Sequence, residues 1–166
     1  MTVVGIDGST TNTGISVMQD GKLIYYNLIS IKDSDVFMRI RKMLIEIYKV
    51  LDQYVVDIIC MEKAFTKTNI DTTMKLANLA GGVIAYCALH NIEFKHPLAS
   101  EWRKKIGIQT GRVKRDALKE MAINVVKKEY HLDVNDDVSE AILLSRSVFD
   151  LPKLKISEDD LWGENN

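Results

Sequence analysis

Residues 2–7 read Thr-Val-Val-Gly-Ile-Asp, a short β-branched run that stops at the turn-like Gly8-Ser9-Thr10-Thr11-Asn12. Two more strand-like runs follow at 13–19 and 22–30, joined at Asp20-Gly21, a strong two-residue hairpin signal. The period then changes. From Val36 to Leu51 apolar residues fall at helical spacing, with Phe37, Ile40, Leu44, Ile47 and Leu51 along one stripe. Val55 to Met61 is nearly continuous and apolar, as expected of a strand buried on both faces, and it ends on Glu62. After a Thr- and Lys-rich loop, a helix is predicted from about Thr72 to His90. Its middle is rich in small residues (Ala77, Ala80, Gly81, Gly82, Ala85), which permit close backbone approach. A short strand at 92–96 ends at Pro97, and helices are predicted near 98–106, 113–129 and 137–149. The order βββ-α-β-α-β-α-α-α predicts an α/β fold, a mixed sheet with helices on its faces. The expected division is a domain over 1–150 and a polar, acidic tail over 151–166.

Composition narrows the picture little. The chain has 166 residues, 46% of them hydrophobic and 27% charged, which is ordinary for a globular domain and argues against disorder. One domain with one substantial core is expected at this length. Cys60 and Cys87 both lie in apolar runs without metal-ligand spacing, so buried, reduced thiols are expected. The start lacks a basic region before an apolar stretch, and no run approaches a membrane span. A soluble protein of the cytoplasm is the expectation.

Charge changes the picture more. The formal net charge is −1, which excludes a uniformly basic DNA-coating protein. Residues 94–130, however, carry 10 basic against 4 acidic side chains, and residues 131–166 carry 3 against 9. A basic block of net +6 therefore stands beside an acidic one of net −6.

Four acids stand where chemistry is possible. Asp7 and Glu62 each close an apolar strand; if those strands are neighbours, both emerge at one open edge of the sheet. Asp137 and Glu140 are three residues apart at the start of a helix whose next turns are apolar, so they share a face. Asn135 or Asp136 serves as the cap. Four carboxylates from three segments make an all-oxygen site suited to Mg²⁺ or Mn²⁺, and the lack of a nearby Cys/His set disfavours zinc. Two such ions about 4 Å apart can support phosphodiester hydrolysis.

The segments Gly5-Ile6-Asp7-Gly8-Ser9 with Thr13-Gly14, Met61-Glu62-Lys63-Ala64-Phe65, and Asp137-Val138-Ser139-Glu140-Ala141-Ile142 come in this order at strand and helix positions. In these segments the chain resembles the RuvC-type Holliday-junction resolvases of the ribonuclease H-like superfamily, over roughly residues 1–150. The resemblance implies a five-stranded mixed sheet, three strands antiparallel and two parallel, flanked by helices. It also implies a homodimer, and metal-dependent nicking of branched DNA that leaves a 5′-phosphate and a 3′-hydroxyl. By position, Asp7, Glu62, Asp137 and Glu140 would form the metal-binding tetrad for two Mg²⁺, with Mn²⁺ able to substitute. Glu140 departs from the family, which has Asp or His there. Phe65 matches the aromatic that lies close to the junction. Lys114, after Thr110-Gly111-Arg112, best matches a lysine near the scissile phosphate, so it joins the catalytic set. Lys63, Arg103, Lys104, Lys105, Arg112 and Arg115 complete the expected DNA-contacting set.

Three alternatives bear on this expectation. The Gly5–Thr11 segment is also similar to the phosphate-binding hairpin of actin-like ATPases and sugar kinases, but those need two such domains around a nucleotide. A ribonuclease H acting on RNA–DNA hybrids would use the same carboxylates. A branched-DNA binder without catalysis is the third possibility. The Glu-Lys-Ala-Phe loop and the Gly/Ala-rich helix, suited to a dimer interface, favour the resolvase.

Overall fold

In a computed structural model the described residues are 1–63, 69–108 and 114–154. The elements run β1 (Thr2–Asp7), β2 (Asn12–Gln19), β3 (Lys22–Ser30), α1 (Val36–Leu51), β4 (Ile58–Met61), α2 (Ile70–His90), β5 (Glu93–Lys95), α3 (Ala99–Ile106), α4 (Arg115–Tyr130) and α5 (Asp136–Val148). They form one five-stranded sheet in the order β3-β2-β1-β4-β5. β1, β2 and β3 pair antiparallel, while β4 pairs parallel with β1 and β5 parallel with β4. The Asp20-Gly21 hairpin has both residues at positive φ, 50° and 79°, as a two-residue turn between twisted strands requires.

Alternation along the strands builds two cores. Val4, Ile6, Ile15, Val17, Ile59 and Met61 face α1 and α2. Met18 and Cys60 face α3, α4 and α5 on the opposite side. Cys60 and Cys87 are both free and buried. Three expectations shift locally. Phe37 belongs to the exposed side of α1, at 75% exposure, and Met43 and Val50 take its place on the buried stripe. The fourth strand starts at Ile58 rather than Val55, which is 89% exposed. Asp57 ends the approach by bonding backbone: its Oδ2 accepts from the Thr2 N–H at 2.6 Å. α2 starts at Ile70, two residues early, because the Asn69 side chain caps it by accepting from the Thr72 N–H at 3.0 Å.

α5 lies directly on the sheet, and two glycines allow it. A Cβ on Gly5 of β1 would come 2.1 Å from the Ala141 carbonyl oxygen, and one on Gly14 of β2 would come 1.9 Å from that of Asp137. Ser16 fastens the contact, donating to the Ala141 carbonyl at 2.8 Å and sharing a 2.9 Å hydrogen bond with Ser145. Gly14 is the register partner of Asp7. The same glycine that admits the helix therefore sets the first turn of α5 beside the end of β1.

Candidate active site

Asp7 is the last residue of β1 and Glu62 the first after β4. Because Ile6 pairs with Met61 in parallel register, the two acids leave neighbouring strands at the same edge. The Glu62 N–H donates to the Ile6 carbonyl at 3.3 Å, and the Lys63 N–H to the Pro97 carbonyl at 2.9 Å, fixing the strand end against the approach to α3. Asn135 caps α5, its side chain accepting from the Val138 N–H at 3.1 Å. Asp137 and Glu140 thus project from a secured first turn.

Asp7, Glu62 and Glu140 line one cleft of about 330 Å³ together with Thr72, Arg103, Arg115 and Lys119. A second cavity of about 370 Å³ shares Asp7 and Glu140, and adds Asp137, Arg39 and Lys75. Burial pushes the Asp7 carboxyl well above the usual carboxylate range, and the charges of Glu140, Glu62 and Asp137 push it further, against Lys119. Asp137 is also raised, first by burial and then by Asp136 and Glu140. Burial raises Glu140 as well, despite the opposing Arg103. Asp136 behaves differently: burial acts to raise it, but the ion pair with Lys119 of α4 holds it below its ordinary value. That pair fixes Lys119 at the lip of the cleft.

At Asp7 itself burial and the neighbouring acids outweigh Lys119, although each cavity is lined by at least as many basic as acidic side chains. Among the described residues, no three Asp, Glu, His or Cys side chains stand close enough to hold a metal ion as they are. One reason is visible: Glu140 is turned into a buried ion pair with Arg103.

The expected DNA-contacting residues do not all meet at this cleft. Arg115 lines it. Arg103 is only 9% exposed and is paired with Glu140, so it faces the protein's own carboxylate. Lys104 and Lys105 line a separate cavity of about 430 Å³ with Glu101, Arg146 and Phe149. Lys63 is exposed, and Lys114 is the exposed N-cap of α4, outside the lining of either carboxylate cavity. Phe65 and Arg112 lie outside the described residues. Further residues join the site without having been singled out from the sequence, Lys75 among them. Lys119 follows Arg115 by one helical turn, a spacing that was available as a signal. Arg39, on α1, had none. Trp102 donates its indole N–H to Glu62 Oε2 at 2.8 Å across 40 residues of sequence, and nothing local indicates that contact.

A β3-β2-β1-β4-β5 mixed sheet, with acids at the ends of its two central strands and on a helix lying across it, defines the ribonuclease H-like class. Within that class the family model described as "Crossover junction endodeoxyribonuclease RuvC" matches residues 3–145, and the chain belongs to this family. A curated relative of the same description from Nitratidesulfovibrio vulgaris (strain DP4) is 26% identical over 148 residues, covering 86% of this chain and 89% of its own. Another, from Corynebacterium jeikeium (strain K411), is 27% identical over 109 residues, covering 62% and 67%. Among solved structures, T. thermophilus RuvC in complex with Holliday junction substrate superposes with a TM-score of 0.72 at 14% identity, over 89% of this chain and 91% of that one. The yeast mitochondrial Holliday junction resolvase Ydc2 gives a TM-score of 0.52 at 15% identity, over 87% and 76%. These two likenesses are likenesses of fold.

Proposed function

We propose that this chain is a structure-selective endonuclease that nicks four-way junctions and other branched DNA by divalent-cation-assisted phosphodiester hydrolysis. The observation that carries the proposal is that Asp7, Glu62, Asp137 and Glu140 line two cavities sharing Asp7 and Glu140 in a RuvC-family fold, with Arg115 and Lys119 lining both. The donor set is all oxygen, which fits Mg²⁺ and allows Mn²⁺. The raised Asp7 carboxyl marks charge that a cation would offset.

Asp7, Glu62 and Asp137 would hold the cations, with Glu140 available once released from Arg103. When bound, two such ions activate water and stabilise the leaving oxygen. Lys119, held by Asp136, and Arg115 would bind the non-bridging oxygens of the phosphate and offset the charge that builds on them. Lys114, Lys63, Lys104 and Lys105 would extend phosphate contact outward, and Phe65 and Arg112 belong to the same expected surface. The products would be a 5′-phosphate and a 3′-hydroxyl.

Symmetric nicking of a junction requires two sites, and α2 supplies a surface for pairing. Ile70, Met74, Ala77, Gly81, Ile84, Ala85 and Ala88 form an exposed, apolar and small-residue stripe along it. A homodimer joined through this stripe would carry two sites related by a two-fold axis. Among the described residues no helix is long and apolar enough to cross a membrane, and a cytoplasmic setting is proposed with the function.

The test is cleavage of a synthetic four-way junction in Mg²⁺, beside flap and RNA–DNA hybrid substrates, with Asp7→Asn as control. Paired nicks on the junction that vanish in Asp7→Asn are expected. Hybrid cleavage in their place would make the chain a ribonuclease H, and binding without nicking would make it a junction binder.

A further inference from the structure

Two consecutive residues of α3 reach two of the site's carboxylates from inside the protein. Trp102 is 2% exposed and belongs to the core beneath α5, where its indole N–H donates to Glu62 Oε2 at 2.8 Å. Arg103 pairs with Glu140, and its guanidinium lies 4.8 Å from the centroid of the Trp102 ring. The start of α3 is fixed in turn: Glu101 Oε2 accepts from the Leu98 N–H at 2.7 Å.

The two partners have opposite consequences for a cation. A guanidinium neutralises the carboxylate it binds and competes with any metal for it. An indole N–H is a neutral donor with a single bond to give, so it fixes one oxygen of Glu62 and leaves the charge and the second oxygen in place. Building on the branched-DNA nuclease proposed above, we propose that Trp102 is a positioning residue. Its indole holds Glu62 by Oε2 so that Oε1 is available to a divalent cation, and its ring supports the guanidinium that holds Glu140 back. Glu62 is then the pre-set ligand of the pair, and Glu140 the one that must be released. Outer donors of this kind typically change metal affinity by about 10–100-fold when removed.

The test uses the full chain. The sequence contains two tryptophans, Trp102 and Trp162, and Trp162→Phe assigns their indole N–H resonances. In metal-free protein, Glu62→Ala should move the Trp102 indole resonance and speed its exchange with solvent. Trp102→Phe keeps an aromatic ring under Arg103 and removes the donor, together with part of the buried ring. It should weaken Mn²⁺ binding measured by calorimetry about tenfold or more. It should raise the metal concentration for half-maximal junction cleavage similarly, with excess metal restoring most of the rate. Junction affinity without metal should not change. Unaltered Mn²⁺ affinity in Trp102→Phe overturns the proposal, and so does an indole resonance indifferent to Glu62→Ala. If Trp102→Phe does not fold, the Glu62→Ala resonance decides alone. A parent that shows the indole contact and binds Mn²⁺ but cuts no junction removes the nuclease proposal and leaves the positioning of Glu62 standing.

Discussion

Asp7 illustrates how a site residue works against the fold that holds it. Burial and three neighbouring acids raise its carboxyl well above the usual range, so the folded chain holds this proton more tightly than the unfolded chain does. The associated stability is fully present below the unfolded carboxylate value and is lost as pH rises through the raised folded value. Above the ordinary carboxylate range Asp7 is therefore a cost to folding. Asp7→Asn should raise the melting temperature by a few degrees at pH 7, the gain shrinking as pH is lowered toward the ordinary carboxylate range, and it should abolish cleavage. Mg²⁺ or Mn²⁺ should stabilise the parent and leave this variant nearly unaffected. A thermal-melt series over pH and metal concentration checks both. Arg103 presents the reverse case. Its pair with Glu140 is buried on both sides, and removing one partner strands the other. Arg103→Met should cost about 3–5 kcal/mol in denaturant unfolding, much of it returned when Glu140→Gln is added.

At the scale of elements, the approach of α5 to the sheet decides the site. Two backbone carbonyls of that helix occupy the space where side chains on Gly5 and Gly14 would stand. Gly14→Ala should push α5 away by its first turn, costing about 1–3 kcal/mol as overpacking does. Because Asp137 rides on that turn, metal binding should fall more than stability alone accounts for. Urea unfolding paired with Mn²⁺ calorimetry separates the two effects. Ser16→Ala, which removes the buried bonds to Ala141 and Ser145, should cost about 1 kcal/mol and disturb the site less. The elements themselves were largely legible in the sequence. Strand alternation, the Asp20-Gly21 turn and the cap at Asn135 are local, and local preferences hold wherever tertiary packing agrees with them. Phe37, in the first turn of α1, and Val55, in the connection before β4, departed from expectation because an apolar residue there is free to face outward when no neighbour covers it.

For the whole molecule, the charge partition and the stripe on α2 make separate predictions. Lys and Arg supply sequence-independent phosphate affinity through counterion release, so junction binding should weaken steeply and log-linearly between 50 and 200 mM salt, as it does generally. Lys119→Ala and Arg115→Ala should each lower that slope by about one unit, measured by fluorescence anisotropy. On α2, a Cβ at Gly81 would meet nothing within 4 Å. Gly81→Arg should therefore leave the fold intact while converting a dimer to monomers in analytical ultracentrifugation, and paired nicking should become single nicking.

The sequence by itself determined the class of fold, the order of its elements and the placing of four acids at two strand ends and one helix start. Each of these rests on local patterns: period-2 or helical spacing, turn residues, and a carboxylate closing an apolar strand. It also carried the division of charge that a near-zero total conceals. Tertiary structure decided which of these residues act on one another. Glu140 is paired with a residue 37 positions away and Glu62 with one 40 positions away, and no local preference encodes either contact. Both exist because β4 lies beside β1 and because two glycines let α5 settle on the sheet with α3 against it. Buried donors and charges must then find partners among whatever the packing brings within reach.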